Sequence, residues 1–82
     1  MVVVLIPSLL AAQAGGRGRF EVEAATLGDA LRALPIADLL FDERGELRPL
    51  VNPFVDKSLE RDLATPLSTD TEVRVVAAIA GG

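Results

Sequence analysis

A chain of 82 residues with eight basic and twelve acidic side chains, net charge −4, and half its residues hydrophobic makes one small domain with a thin core. The charge has the wrong sign for holding phosphate backbones by counterion release, which argues against nucleic acid as a ligand. Cys, His, Tyr and Trp are all absent, which leaves no disulfides, thiolate nucleophiles, ordinary structural zinc or imidazole catalysis. An independent enzyme would have to rely on a strongly shifted carboxylate or on Lys57.

The chain opens on MVVVLIPSLLAAQAGG, an apolar run followed by Ala12-Gln13-Ala14, which mimics a signal-peptide cleavage site. No Lys or Arg precedes the run, Pro7 interrupts it, and it falls short of the roughly 20 apolar residues that span a bilayer. The expectation is a cytoplasmic protein with no membrane partner, and a strand over Val2 to Ile6 covered on both faces in the middle of a sheet. Residues 13–18, QAGGRG, read as a glycine loop. RFEVEA then alternates, with Phe20, Val22 and Ala24 inward and Arg19, Glu21 and Glu23 outward, so the first two strands form a hairpin.

Thr26 with Asp29 three residues on makes a helix start, and Leu27, Ala30, Leu31 and Leu34 follow as one apolar stripe. Pro35 ends or kinks that helix, and PIADLLF starts a second short turn laying Ile36, Leu39 and Leu40 on the same core. DERGE, residues 42–46, is a polar turn. The next strand is centred on Leu50 to Val55, but Pro53 cannot donate a ladder hydrogen bond, which places that strand at an edge or breaks it there. Residues 58–71 show no period, with Leu59, Leu63 and Leu67 expected as single buried contacts. TEVRVVAAIA closes the pattern as an alternating strand, Val73 and Val75 inward, Glu72 and Arg74 outward. The two most apolar strands, first and last, suit parallel neighbours at the sheet centre, giving an α+β domain with the helix across one face.

The chain ends Ala80-Gly81-Gly82. Residues without side chains pass through a channel that excludes even alanine, and residues 77–82 fully extended reach about 20 Å. The reactive group of such a tail is the α-carboxyl of Gly82, ionised at neutral pH and a poor electrophile. Neither a phosphate loop nor a candidate base is present to activate it, so an adenylating partner has to supply that chemistry.

In the opening strand VVVLIP, the helix ATLGDALRAL, the middle strand RPLVNPFVDK, the segment LATPL and the AGG ending, the chain resembles the ubiquitin-like β-grasp sulfur carriers. That group contains the small subunit of molybdopterin synthase and the carriers of thiamin and cysteine synthesis. The resemblance covers nearly all of the chain and implies a single β-grasp domain over 1–82 with 77–82 as a projecting tail. Two turns depart from the family pattern: STDTE lacks an Asp-Gly step, and DKS stands where relatives carry Asn-Gly or Asp-Gly.

The resemblance also implies a mechanism. An ATP-dependent activating enzyme adenylates Gly82, a sulfur donor converts it to a thiocarboxylate, and an acceptor synthase subunit takes the sulfur. The chain itself binds no cofactor or metal. Gly81 and Ala80 give the slim tail, and Ile79 anchors it where it leaves the domain. Arg74 is either a contact for the activating enzyme or part of a solvated strand face, and Phe54 is either an outward partner contact or a core residue. Arg17 and Arg19 read as a solubilising turn ahead of a phosphate site, and Asp42, Glu43 and Glu46 as a solvated turn ahead of a Mg²⁺ site. The other functions in play are a ubiquitin-like modifier joined to target lysines through Gly82, and a binding module that pairs through an edge strand.

Overall fold

A computed structural model describes residues 1–77. Its elements run β1 (Val2–Leu5), α1 (Ser8–Gln13), β2 (Arg19–Val22), α2 (Leu27–Arg32), α3 (Ala37–Leu40), β3 (Val51–Val55), β4 (Ser58–Leu59) and β5 (Glu72–Ala77). One mixed sheet holds the strands in the order β2-β1-β5-β3-β4, with β1 and β5 parallel and every other pair antiparallel. This is the expected α+β, β-grasp arrangement, in which the first and last strands meet at the centre and the helices cover one face. No helix among the described residues is long and apolar enough to cross a membrane.

The stripe on α2 becomes the centre of the core, with Leu27, Ala30 and Leu31 fully buried and Leu34 nearly so. Burying one such leucine contributes about 1.5–3 kcal/mol relative to leaving it in water. Thr26 caps the helix, its hydroxyl accepting from the Asp29 N–H at 3.2 Å. The two amides that follow are taken by the loop leading to β5: Leu27 N–H donates to the Thr65 carbonyl and Gly28 N–H to the Leu63 carbonyl, both at 2.9 Å. Opposite α2 stand Val2, Val4, Phe20, Val51, Pro53, Val73 and Val75 on the inner face of the sheet, all buried.

Several expectations are corrected. β1 and β2 do pair as antiparallel neighbours, but α1 joins them, and the glycine loop occupies only the end of that connection. Pro7 stands at the N-cap, Leu10 and Ala11 are buried, and Gly15 and Gly16 end the helix at φ +71° and +89°. β1 is covered on one face alone. Val3 and Leu5 are half-buried on the other, level with Glu21 and Arg19 of β2 and with Glu72 and Arg74 of β5. Leu39 is 41 % exposed, because Ile36 and Leu40 take the inner face of α3 and Leu39 is turned about 100° from Leu40. Leu59 is 53 % exposed, since β4 is a two-residue edge strand and Leu59 lies opposite Phe54.

Pro53 neither breaks β3 nor puts it at the edge. Its carbonyl accepts from the Glu60 N–H at 2.9 Å, away from β5. In an antiparallel strand the N and C=O of one residue point to the same side, so the missing N–H also faces away from β5 and no bond to β5 is lost. The loss falls beyond the end of β4, where Pro53 has no partner in the ladder.

Candidate functional site

The last described element, β5, is the central strand of the sheet. Its alternation holds as read: Val73 and Val75 are buried, and Glu72, Arg74 and Val76 face outward. Ala77, its last residue, stands opposite Val51 at the start of β3. Residues 78–82, and with them Ile79, Ala80, Gly81 and Gly82, lie outside the described residues.

The face of the sheet away from the helices carries the two other candidates together. Phe54 on β3 and Arg74 on β5 are direct cross-strand partners. They line one shallow concavity with Lys57, Glu72 and Val76. The register continues the row on both sides, from Leu59 through Phe54 and Arg74 to Leu5 and Arg19. Phe54 therefore faces outward, half-buried, and Arg74 is an exposed cation bordered by apolar side chains. Among the described residues Arg74 makes no ion pair; the one that is formed joins Arg19 to Glu21 at 3.6 Å on the exposed surface.

The remaining charged candidates are satisfied locally. Arg17 lies over the Phe20 ring at 4.7 Å, a cation–π contact within its own turn. Asp42 Oδ1 accepts from the N–H of Arg44 at 2.9 Å and of Glu46 at 3.0 Å, closing the turn. The Glu46 N–H, foremost, holds the Asp42 carboxyl below its ordinary pKa, with the Arg44 N–H and the nearby arginine charges acting in the same direction. Among the described residues no group of three or more acidic side chains is arranged to hold a metal ion.

Arg61 carries no distinguishing signal in the sequence, yet it makes the densest polar contacts among the described residues. Its Nη1 donates to the Val51 carbonyl and, at 3.1 Å, to Asn52 Oδ1. Its Nη2 donates to the carbonyls of Arg48 at 3.1 Å and Leu47 at 3.4 Å. Four acceptors from the loop entering β3 and from its first two residues thus converge on one guanidinium, on the side of β3 away from β5. Leu5, Leu59 and Val76 also join the outer face, placed there by register between strands.

No family model matches the chain, and no curated protein matches it. Solved structures do. CysO of Mycobacterium tuberculosis superposes with a TM-score of 0.84 at 28 % identity, over 96 % of this chain and 100 % of that one. SAMP1 of Haloferax volcanii superposes at 0.79 with 28 % identity, over 99 % of this chain and 98 % of that one. A chain of the Amycolatopsis orientalis BexX/CysO complex shares the fold, with a TM-score of 0.81 at 22 % identity over the full length of both. The resemblance to ubiquitin-like β-grasp sulfur carriers read from the sequence holds in the structure, whose neighbours are CysO and the modifier SAMP1.

Proposed function

We propose that this chain is a sulfur carrier whose Gly82 carboxyl is the working group. In the first step the carboxylate attacks the α-phosphorus of ATP on a partner enzyme, giving the acyl-adenylate and pyrophosphate. In the second, a hydrosulfide-level donor attacks the acyl carbon and AMP leaves, giving a thiocarboxylate with loss of one proton. On an acceptor synthase subunit that sulfur then bonds to an electrophilic carbon of the substrate, and water cleaves the acyl–sulfur bond, returning the Gly82 carboxylate and leaving the sulfur in a molybdopterin-, thiamin- or cysteine-type synthesis. The chain is a protein substrate in this scheme, works in the cytoplasm and binds no cofactor of its own. In keeping with the BexX/CysO complex, the catalytic work belongs to separate proteins.

The observation that carries the reading is the near full-length likeness to CysO and SAMP1 in a chain whose central strand leads into Gly81 and Gly82. Phe54 and Arg74 give the activating enzyme an apolar contact and a cation beside that strand. Gly81, Ala80 and Ile79 are assigned to the partner's channel.

A second reading, conjugation of Gly82 to a target lysine, is favoured by the likeness to SAMP1, a small archaeal modifier protein. The edge-strand module is disfavoured, because β4 has two residues and β2 four, and short edge strands resist strand addition.

Intact mass spectrometry after incubation with ATP, an activating enzyme and a sulfur source separates these functions. Exchange of one oxygen for sulfur on the chain supports the carrier, and a ladder of conjugates on other proteins supports the modifier. Charging that survives deletion of Gly82 rules out both.

A further inference from the structure

We propose that Arg61 is a positioning residue for the C-terminal segment: its guanidinium stands in for a missing edge strand along β3 and so fixes the end of β5, from which the reacting terminus departs. The inference rests on the reading of Gly82 as that terminus.

The edge of the sheet beyond β3 is only partly built. β4 pairs with Phe54 and Val55 and then stops. Further up, the outward carbonyl of Pro53 is taken by the Glu60 N–H, and that of Val51 by Arg61. Since Val51 and Pro53 direct their polar groups outward, Asn52 and Phe54 direct theirs at β5. Asn52 and Val76 form the last hydrogen-bonded pair before Ala77. The stretch of β3 that holds the end of β5 thus has no strand on its other side, and Arg61 holds it there instead.

A planar, permanently charged fork suits this work. Hydrogen bonds from a cation are about twice as strong as neutral ones, and the fork reaches acceptors that a lysine ammonium, a point donor, cannot hold together. The four acceptors come from Leu47, Arg48, Val51 and Asn52, so the guanidinium ties the incoming loop and the first residues of β3 into one unit. Presentation matters for the chemistry, because a misplacement of about 1 Å at a reacting group costs on the order of a hundredfold in rate.

The test uses the full-length chain with Arg61→Gln and Arg61→Lys. Residue-resolved hydrogen exchange compares Val76 with Val4 and Leu31, and pyrophosphate exchange with ATP and the activating enzyme gives kcat and KM. The expected result is exchange at Val76 faster by about tenfold or more, with Val4 and Leu31 still protected. The same variants lose kcat with KM nearly unchanged, and Lys restores less than half of either property.

Protection of Val76 that is unaltered in Arg61→Gln overturns the proposal. So does loss of protection at all three amides with kcat intact, which is what a merely structural contact produces. If the wild-type chain takes neither AMP nor sulfur, the function proposed above fails, and the exchange comparison alone then decides whether Arg61 fixes the end of β5.

Discussion

Phe54 on β3 stands directly across the ladder from Arg74 on β5, on the sheet face turned away from the helices. The two residues come from segments far apart in the chain, and the antiparallel register between β3 and β5 makes them one surface. Phe54→Asp and Arg74→Glu are each expected to raise KM for the activating enzyme about tenfold, the size of a binding residue worth more than about 1 kcal/mol. Arg74→Glu should leave the melting temperature within a few degrees, since exposed substitutions change stability by about 0.5 kcal/mol or less. Paired KM and melting measurements check both; an unchanged KM in the two variants removes this face from the partner interface.

The turn between β3 and β4 is held by Asp56 and Lys57, both left-handed, at φ +46° and +76°. Two-residue hairpins of this geometry favour glycine, because a side chain there crowds its own carbonyl. Lys57→Gly relieves about 1–2 kcal/mol of that strain. The freer unfolded chain offsets about 0.5–1 kcal/mol of it. Urea unfolding should show a higher midpoint at constant slope, a net gain of up to about 1.5 kcal/mol.

Gly28 sits in the first turn of α2 against the loop that precedes β5. A Cβ there would lie 3.1 Å from the Leu63 carbonyl oxygen and 3.2 Å from the Leu63 Cβ. The still nearer Arg32 guanidinium is the end of a flexible side chain and swings aside. The Leu63 carbonyl does not, because it accepts the Gly28 N–H itself at 2.9 Å. Gly28→Ala should therefore destabilise by about 1–2 kcal/mol, the crowding outweighing alanine's better helix propensity. Chemical denaturation reads the sign directly, and a stabilised variant would refute the close approach.

Asp42 gives a pH dependence with a defined sign. Its carboxyl in the folded chain lies below the ordinary value of 3.8, held there chiefly by the Glu46 N–H. A depressed carboxyl contributes stability above the unfolded-state pKa, and that contribution is lost as pH falls through the folded-state value. Stability measured from neutral pH into the acid range should fall less steeply in Asp42→Asn than in the parent chain. A carboxyl NMR titration should find Asp42 titrating below 3.8; a midpoint at or above that value sinks the assignment.

The elements legible in the sequence are those whose signal is local. The stripe of Leu27, Ala30, Leu31 and Leu34 and the alternation of Val73 and Val75 declare their buried faces within a few residues, because period alone decides which side chains share a face. Thr26 declared its cap for the same reason, its partner being the Asp29 N–H one turn on. Helix α1 was legible in principle from Pro7, the helix formers after it and the glycine pair that stops it, but the glycines alone read as a loop.

Relations between distant segments were decided by the tertiary structure. Leu59 is exposed because β4 ends the sheet, Val3 and Leu5 are only half-buried because the helices cover the other face, and Pro53 is tolerated because its nitrogen points away from β5. Phe54 meets Arg74, and Arg61 gathers the carbonyls at the start of β3, only once the register is set. Hydrophobic periodicity is written into neighbouring residues, whereas strand order, register and the satisfaction of an open edge depend on which backbones come to lie side by side.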